Sequence, residues 1–306
     1  MAPFRFGVHT SGPPSMATWR DQARRAEALG YSSLSLVDHL DAQLAPLVAL
    51  TVAAEATTTL HVGTLVLNND LRNPVVLARE LATLGLAAEG RLEVGLGAGW
   101  RRSDYAATGI AYDDPAVRVG RLAESVALMR ALWHTGTASL DGTHYRVDGA
   151  TCAPRPALPP RLVVGGGSRR VLSLAATQAD TVGVNTPLGT GSVGDDVEQR
   201  ATLDHYDRCL AWIRQAAGDR FPALELQIAP FAVMVVDQPR AARRAAALLG
   251  FRGDHALELP AVLVGTVDDC CERLLERRAR WGFSYVVVPA QAMEPFAPVV
   301  ERLAGT

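Results

Sequence analysis

Asp38-His39 is the adjacent pair in this chain best suited to moving a proton. An imidazole titrates near neutrality and serves as acid or base, and a nearby carboxylate can orient it. The alternative is that Asp38 caps the next helix and His39 is a passive liner. A second constellation, Gly165-Gly166-Gly167-Ser168-Arg169-Arg170, joins glycines that let backbone amides converge to the start of a helical pattern. Such a turn favours an anion, and two arginines in a first turn oppose the helix dipole unless an anion lies between them. Phosphate is therefore the expected ligand; the other reading is a plain glycine turn with solvated arginines. A third stretch, 91–100, reads as a strand with Gly95, Gly97 and Gly99 on one face and Leu92, Val94, Leu96 and Ala98 on the other. A bare strand face suits either a flat ligand or the close approach of another backbone. Its G-x-G-x-G spacing, followed by Arg101-Arg102-Ser103-Asp104, is not a dinucleotide fingerprint. Cys152, Cys209, Cys270 and Cys271 lack zinc-ligand spacing, and no metal is expected.

The elements that must position these groups alternate along the chain. Strands are expected over 4–10, 33–39, 60–67, 91–98, 161–165, 181–184, 224–236 and 284–288, with helical patterns between them. The first helix carries Trp19, Ala23, Ala26 and Leu29 at helical spacing and ends at Gly30, while Pro74 opens the third. Repeated βα units imply a parallel sheet. Eight of them in 306 residues fit an α/β fold of the (β/α)8 TIM-barrel type, one domain over 1–306. A doubly wound open sheet is the alternative. Residues 135–160, with the hairpin signal Asp141-Gly142, and residues 186–196 and 251–264 read as loop insertions. Strand parity places Gly7 and His9 on one side, together with Ser33, Ser35, Val37 and His39, and with Gly63, Gly165, Gly183 and Asn185. With the apolar faces against helices, the barrel interior is lined by Gly and Ser and ends in His9, His39 and Asn185. A filled barrel stacks branched apolar residues there, so small residues make room for a bulky flat ligand at the C-terminal mouth.

Composition sets the remaining bounds. With 48% hydrophobic residues the chain can bury a large core, and a net charge of −2 supplies no field toward nucleic acid or membrane. The first residues form no apolar signal region and no run of 18 apolar residues occurs. A soluble, cytoplasmic protein is expected. Lysine is absent and arginine supplies every basic side chain, which suggests a GC-rich, actinobacterial source.

Asp38-His39, the strand 62–68, Arg72-Asn73-Pro74, the stretch 90–100, Gly165–Ser168 and Ala179-Asp180-Thr181 together resemble the luciferase-like monooxygenase superfamily over most of the chain. Within it, the chain is most similar to the group using the deazaflavin coenzyme F420. The resemblance implies a TIM barrel of the bacterial luciferase type, a homodimer, a ring in the mouth and a phosphate at the loop after the fifth strand. His39, with Asp38, is implied as the proton-transferring site. His9, Asp38, Thr64, Leu65, Val66, Asn68, Gly97, Ala98, Gly99, Gly165, Gly166, Gly167, Ser168, Arg169 and Asn185 are implied at the cofactor, and Trp100 and Arg101 toward substrate. A non-proline cis peptide is expected at about Leu65-Val66. Leu40-Asp41-Ala42-Gln43 lacks the aromatic residue, and Arg101-Arg102-Ser103-Asp104 the glutamate, common in F420 relatives, which points away from sugar-phosphate dehydrogenation. The implied activity is an F420-dependent oxidoreductase, working as a reductase. It moves a hydride between the deazaflavin C5 and a carbonyl, imine or activated C=C of a small-molecule or peptide natural product. An FMN-dependent luciferase-like monooxygenase is the alternative, and the intact Asp38-His39 argues against a non-catalytic flavin-binding paralogue.

Overall fold

Alternation of apolar and small or polar residues shapes the strands, and the computed structural model, which describes residues 2–41, 44–186 and 197–306, shows how they close. The strands are β1 (Arg5–Thr10), β2 (Ser33–Leu36), β3 (His61–Thr64), β4 (Leu67–Asn68), β5 (Leu92–Gly97), β6 (Thr137–Asp141), β7 (Arg146–Thr151), β8 (Arg161–Gly166), β9 (Thr181–Val184), β10 (Glu225–Ile228), β11 (Ala232–Val235), β12 (Val262–Gly265) and β13 (Phe283–Pro289). Parallel pairing runs β3-β2-β1-β13-β10-β9-β8-β5-β4, and a further β3–β5 pairing joins the ends. With β3 and β4 as two halves of one interrupted strand, this is a closed eight-stranded (β/α)8 barrel. Among the described residues, no helix is long and apolar enough to cross a membrane.

Outward-pointing Phe6, Val8, Leu34, Leu36, Val62, Val94 and Leu96 are fully buried against the helical layer. The helix Met16–Ala28 starts where the Ser15 hydroxyl accepts from the Thr18 amide, and it buries Trp19, Ala23 and Ala26. Trp19 also donates its indole N–H to the Ala49 carbonyl at 2.7 Å, so the largest buried ring leaves no polar atom unpaired. The helix Val267–Trp281 begins with a complete capping box, Thr266 with Asp269.

The three expected insertions differ in outcome. β6 and β7 form the antiparallel hairpin that Asp141-Gly142 signals. Its turn is tethered by the Glu124 carboxylate, which accepts from the amides of Thr143, His144 and Tyr145 at 2.9 Å each. Residues 251–264 are not wholly irregular, because their end belongs to β12, which pairs with β11 as a separate parallel ribbon. The expected strand 224–236 is correspondingly split into β10 and β11 around Ala229-Pro230-Phe231, where proline cannot donate to a ladder. Apart from Thr186, the expected insertion 186–196 lies outside the described residues.

The barrel interior corrects the parity reading in its lower half. Arg5, Glu93, Arg161, Thr181, Glu225 and Tyr285 share the glycine side, and they fill the floor with paired charge rather than with small residues. Arg5 donates to Glu225 through Nε and Nη2, both at 2.9 Å, and to Glu93 at 2.5 Å. Its guanidinium also lies 3.8 Å over the Tyr285 ring. Tyr285 donates its hydroxyl proton to Glu93 at 3.1 Å, and Thr181 donates to Glu225 at 2.8 Å. Burial alone would raise the Glu93 pKa, but neighbouring His61 and Arg5 favour the carboxylate and bring it down to about 2. A group depressed in the folded state stabilises above its unfolded pKa, and that contribution disappears as pH falls through the folded value. The wild-type protein should therefore lose stability between pH 4.5 and about 2. Glu93→Gln should lack that component and leave Arg5 short of a counter-charge. We expect it to lose about 3–5 kcal/mol in urea unfolding at pH 7; a loss under about 1 kcal/mol would show that the floor is not held by this pair.

Candidate active site

At the C-terminal end of β2 the chain leaves the barrel through Val37-Asp38-His39, and the two polar residues part company. Asp38 is buried and gripped by Arg72, Nη1 at 2.5 Å and Nη2 at 3.0 Å, and it accepts from the Asn68 amide at 2.9 Å. This bidentate pair staples the end of β2 to the β4 segment. Asp38 is thus not the carboxylate that orients His39, contrary to the expectation from their adjacency. That carboxylate is Asp104: its Oδ2 lies 2.8 Å from His39 Nδ1, and its Oδ1 accepts from the Leu40 amide at 3.2 Å. With Nδ1 directed at a carboxylate, Nε2 is the ring nitrogen left for proton exchange. Asp104 comes from the short helix Arg102–Thr108, which the strand-and-helix pattern does not predict. The available signal was Gly109, which ends that helix in the left-handed region at φ 71°.

The loop after β5 is braced from behind. Tyr105 is buried and donates to Asp70 at 2.9 Å, and Tyr112 donates its hydroxyl to the Trp100 carbonyl at 3.0 Å. Arg118 donates to the Gly99 carbonyl and lies 4.3 Å over the Tyr112 ring. The result is a fixed backbone at Trp100, whose indole stands 5.5 Å from the His39 ring at 87°. Arg101, expected toward substrate, is engaged by Asp41 at 2.8 Å on the rim.

The glycines resolve into two kinds. A Cβ on Gly95 would lie 2.0 Å from the Thr64 carbonyl oxygen, and Thr64 Oγ1 both donates to the Gly95 carbonyl and accepts from its amide at 2.9 Å. Gly99 has φ 74°, and a Cβ there would meet the Tyr105 hydroxyl at 2.0 Å. Close neighbours, not a ligand, require both. Thr64 and Gly99, expected at a cofactor, are therefore engaged with neighbouring protein groups. So is Asn68, whose Oδ1 accepts from the Asp70 amide at 3.1 Å and from Tyr105 at 3.3 Å. Gly97 makes way for Val66, whose Cγ2 would be 2.6 Å from an added Cβ. The Leu65-Val66 peptide is cis, as expected, and both side chains are partly exposed. Ala98, next along the strand, is likewise partly exposed. Gly165 differs: its nearest neighbours would be Asn185 Nδ2 at 3.4 Å and Val66 Cγ1 at 3.7 Å, ordinary contacts.

Opposite His39, Gly166 lets the helix Arg169–Gln178 close onto β8, since a Cβ would lie 2.6 Å from Val171 Cγ1. The helix opens at Ser168, whose hydroxyl caps none of the first-turn amides. Arg169 turns sideways to Gln215 at 3.3 Å, and Arg170 is exposed. Asn185 donates its amide proton to the Gly166 carbonyl at 2.9 Å and receives His205 Nε2 on its own carbonyl at 3.2 Å. Its carboxamide makes no hydrogen bond among the described residues. His9 ends β1 in the same mouth, where burial lowers its pKa to about 4 and keeps the ring neutral. His9, His39, Val66, Gly97, Gly165, Gly166, Gly167, Ser168 and Asn185 thus meet at one end of the barrel. Asp38, Arg101 and Arg169 are held beside it. Among the described residues, no three His, Cys, Asp or Glu side chains could hold a metal ion.

A closed parallel barrel with a histidine–carboxylate pair and a glycine-rich helix start at its C-terminal mouth is the plan of a cofactor-dependent barrel enzyme. The chain belongs to the luciferase-like monooxygenase family, whose model matches residues 1–285. It is 32% identical over 241 residues to an F420-dependent glucose-6-phosphate dehydrogenase of Kribbella flavida, covering 73% of this chain and 71% of that one. It is also 35% identical over 190 residues to a protein of the same name from Nakamurella multipartita, covering 58% of this chain. That match spans only 55% of the Nakamurella protein's length. The coenzyme F420 dependent tetrahydromethanopterin reductase of Methanopyrus kandleri shares the fold, with a TM-score of 0.78 at 16% identity over 99% of both chains.

The contact between Gly97 and Val66 is testable by a double-mutant cycle. Gly97→Ala forces a Cβ against Val66 and should cost about 1–3 kcal/mol in thermal or urea unfolding. Adding Val66→Ala should recover most of that loss. Additive losses in the double variant would separate the two residues.

Proposed function

We propose that the protein is an F420-dependent oxidoreductase that reduces a carbonyl, imine or activated C=C of a small-molecule or peptide substrate. The observation that carries this reading is the His39–Asp104 pair standing across the mouth from an uncapped helix start. The residues fit the cofactor's chemistry. First-turn amides without a side-chain cap, after Gly165–Ser168, suit a phosphate; the Asn185 carboxamide, which makes no hydrogen bond among the described residues, and the small Gly165 and Gly97 suit a flat polar ring. F420 also appears in the names of the relatives from Kribbella and Nakamurella.

When bound, F420 supplies a hydride from C5 of its reduced ring. The chain's residues must then provide one proton to the substrate atom that receives the negative charge. His39 gives that proton from Nε2, while Asp104 holds the Nδ1 proton and stabilises the imidazolium before transfer. His9, whose pKa is lowered to about 4 by burial, is uncharged at neutral pH and does not compete as the donor. Two copies form the assembly we favour, with the exposed Val48 and Val76 on the neighbouring helices Pro46–Ala56 and Pro74–Ala87 as the apolar surface to be covered.

Titration of the purified protein with F420 and with FMN should show tighter binding of F420; preference for FMN would favour a monooxygenase instead. His39→Ala should lower kcat by about 10²–10⁴-fold in single-turnover oxidation of reduced F420, with F420 affinity close to wild type. Asp104→Asn should lower kcat less, and Asp38→Asn should act on stability. A His39→Ala rate within about twofold of wild type would place the proton donor elsewhere.

A further inference from the structure

We infer that the substrate group seated against His39 is uncharged and apolar, such as an aryl or alkyl ketone or an enone, and that Trp100 selects it; this rests on the oxidoreductase reading above. The indole stands edge to face against His39, 5.5 Å away, and its N–H has no partner among the described residues. Its backbone is fixed on both sides, by Arg118 at the Gly99 carbonyl and by Tyr112 at its own carbonyl. Tyr112 is in turn covered by the Arg118 and Arg102 guanidinium groups at 4.3 and 4.4 Å. A rigid aromatic wall beside the proton donor offers a substrate contact area at little cost in lost motion. Leu40, adjacent to His39 in the chain, is 50% exposed, and its backbone is held by Asp104.

Charge on this side of the mouth is already spoken for. Arg72 is bound to Asp38, Arg101 to Asp41, and Arg121 to Asp70 and Asp113, while Arg102 and Arg118 stack on Tyr112. Arg102 and Arg118 have no carboxylate partner among the described residues, and Arg118 is committed to the Gly99 carbonyl. Any other of these arginines would have to leave its partner, and an anionic substrate would also face the Asp104 and Asp41 carboxylates. Residues 42–43 and 187–196 contain no basic side chain, and the chain has no lysine. A neutral, partly aromatic carbonyl compound meets none of this opposition and stacks on the indole. Glucose 6-phosphate, by contrast, would bring its charge to a wall of engaged cations.

The test separates this inference from the reading it rests on. Failure of F420 to bind would sink the oxidoreductase reading itself. On protein loaded with oxidised F420, binding of acetophenone and 2-cyclohexen-1-one is measured by calorimetry, and that of glucose 6-phosphate on protein loaded with reduced F420. Steady-state rates are recorded with excess reduced F420 for the two carbonyls and with excess oxidised F420 for glucose 6-phosphate. The two neutral carbonyls should bind at least about tenfold tighter than glucose 6-phosphate. Trp100→Ala should weaken acetophenone binding and raise its KM by about tenfold or more, with F420 affinity within about twofold. Trp100→Phe should restore most of the loss. Leu40→Glu, on an exposed side chain, should also weaken acetophenone and serves where Trp100→Ala fails to fold. Tighter binding or faster turnover of glucose 6-phosphate, failure of both neutral carbonyls to bind, or indifference of acetophenone to Trp100→Ala and Leu40→Glu would each overturn the inference.

Discussion

A closed barrel must fill its interior, and in this protein the lower half is filled by charge. Arg5 reaches across from β1 to Glu93 on β5 and Glu225 on β10, under the Tyr285 ring of β13. Strands far apart in sequence are tied through one guanidinium, and each buried carboxylate has a donor. Removing charge from water is expensive unless every partner is in place, so this floor constrains the register of the strands that carry it. The glycines above it let neighbouring backbones approach. Towards the C-terminal mouth the glycines leave room that Val66 enters, against Gly97 and Gly165.

Two carboxylates beside the mouth take different roles because of where the chain sends them. Asp38 is next to His39 in sequence, but alternation along the strand end turns it to the neighbouring strand and into Arg72. Asp104 is 65 residues away and meets the imidazole because the loop after β5 folds back as a helix. The same loop supplies Trp100, so one braced segment positions both the orienting group and the aromatic wall. Tyr112 and Arg118 bond to the loop backbone from behind, Tyr105 and Arg121 bond to Asp70, and together they keep that segment in place. Its precision therefore depends on a supporting layer of hydrogen bonds and stacked cations.

The eight barrel strands (the expected 224–236 running past its true end at Ile228), the first helix by its Trp19, Ala23 and Ala26 face, the helix start at Pro74, the hairpin at Asp141-Gly142 and the position of His39 beyond a strand end were legible in the amino-acid sequence. They depend on alternation, helical spacing and turn chemistry, which are local properties of the chain. So was the glycine-rich turn Gly165–Ser168, because convergence of amides needs only adjacent residues. The floor was partly legible: Arg5, Glu93 and Tyr285 lie on the same parity as the glycines, but parity names a face and not a partner. Which glycines clear space and which accommodate a neighbour was decided only by the tertiary structure. Gly95 and Gly99 answer to Thr64 and Tyr105 from other elements, and no spacing rule reports that approach. The pairing of His39 with Asp104 rather than Asp38 was decided in the same way. Alternation along the strand end already turns His39 to the barrel and Asp38 to the neighbouring strand, whereas the loop that folds over the imidazole, and so the carboxylate that meets it, follows from closure of the barrel.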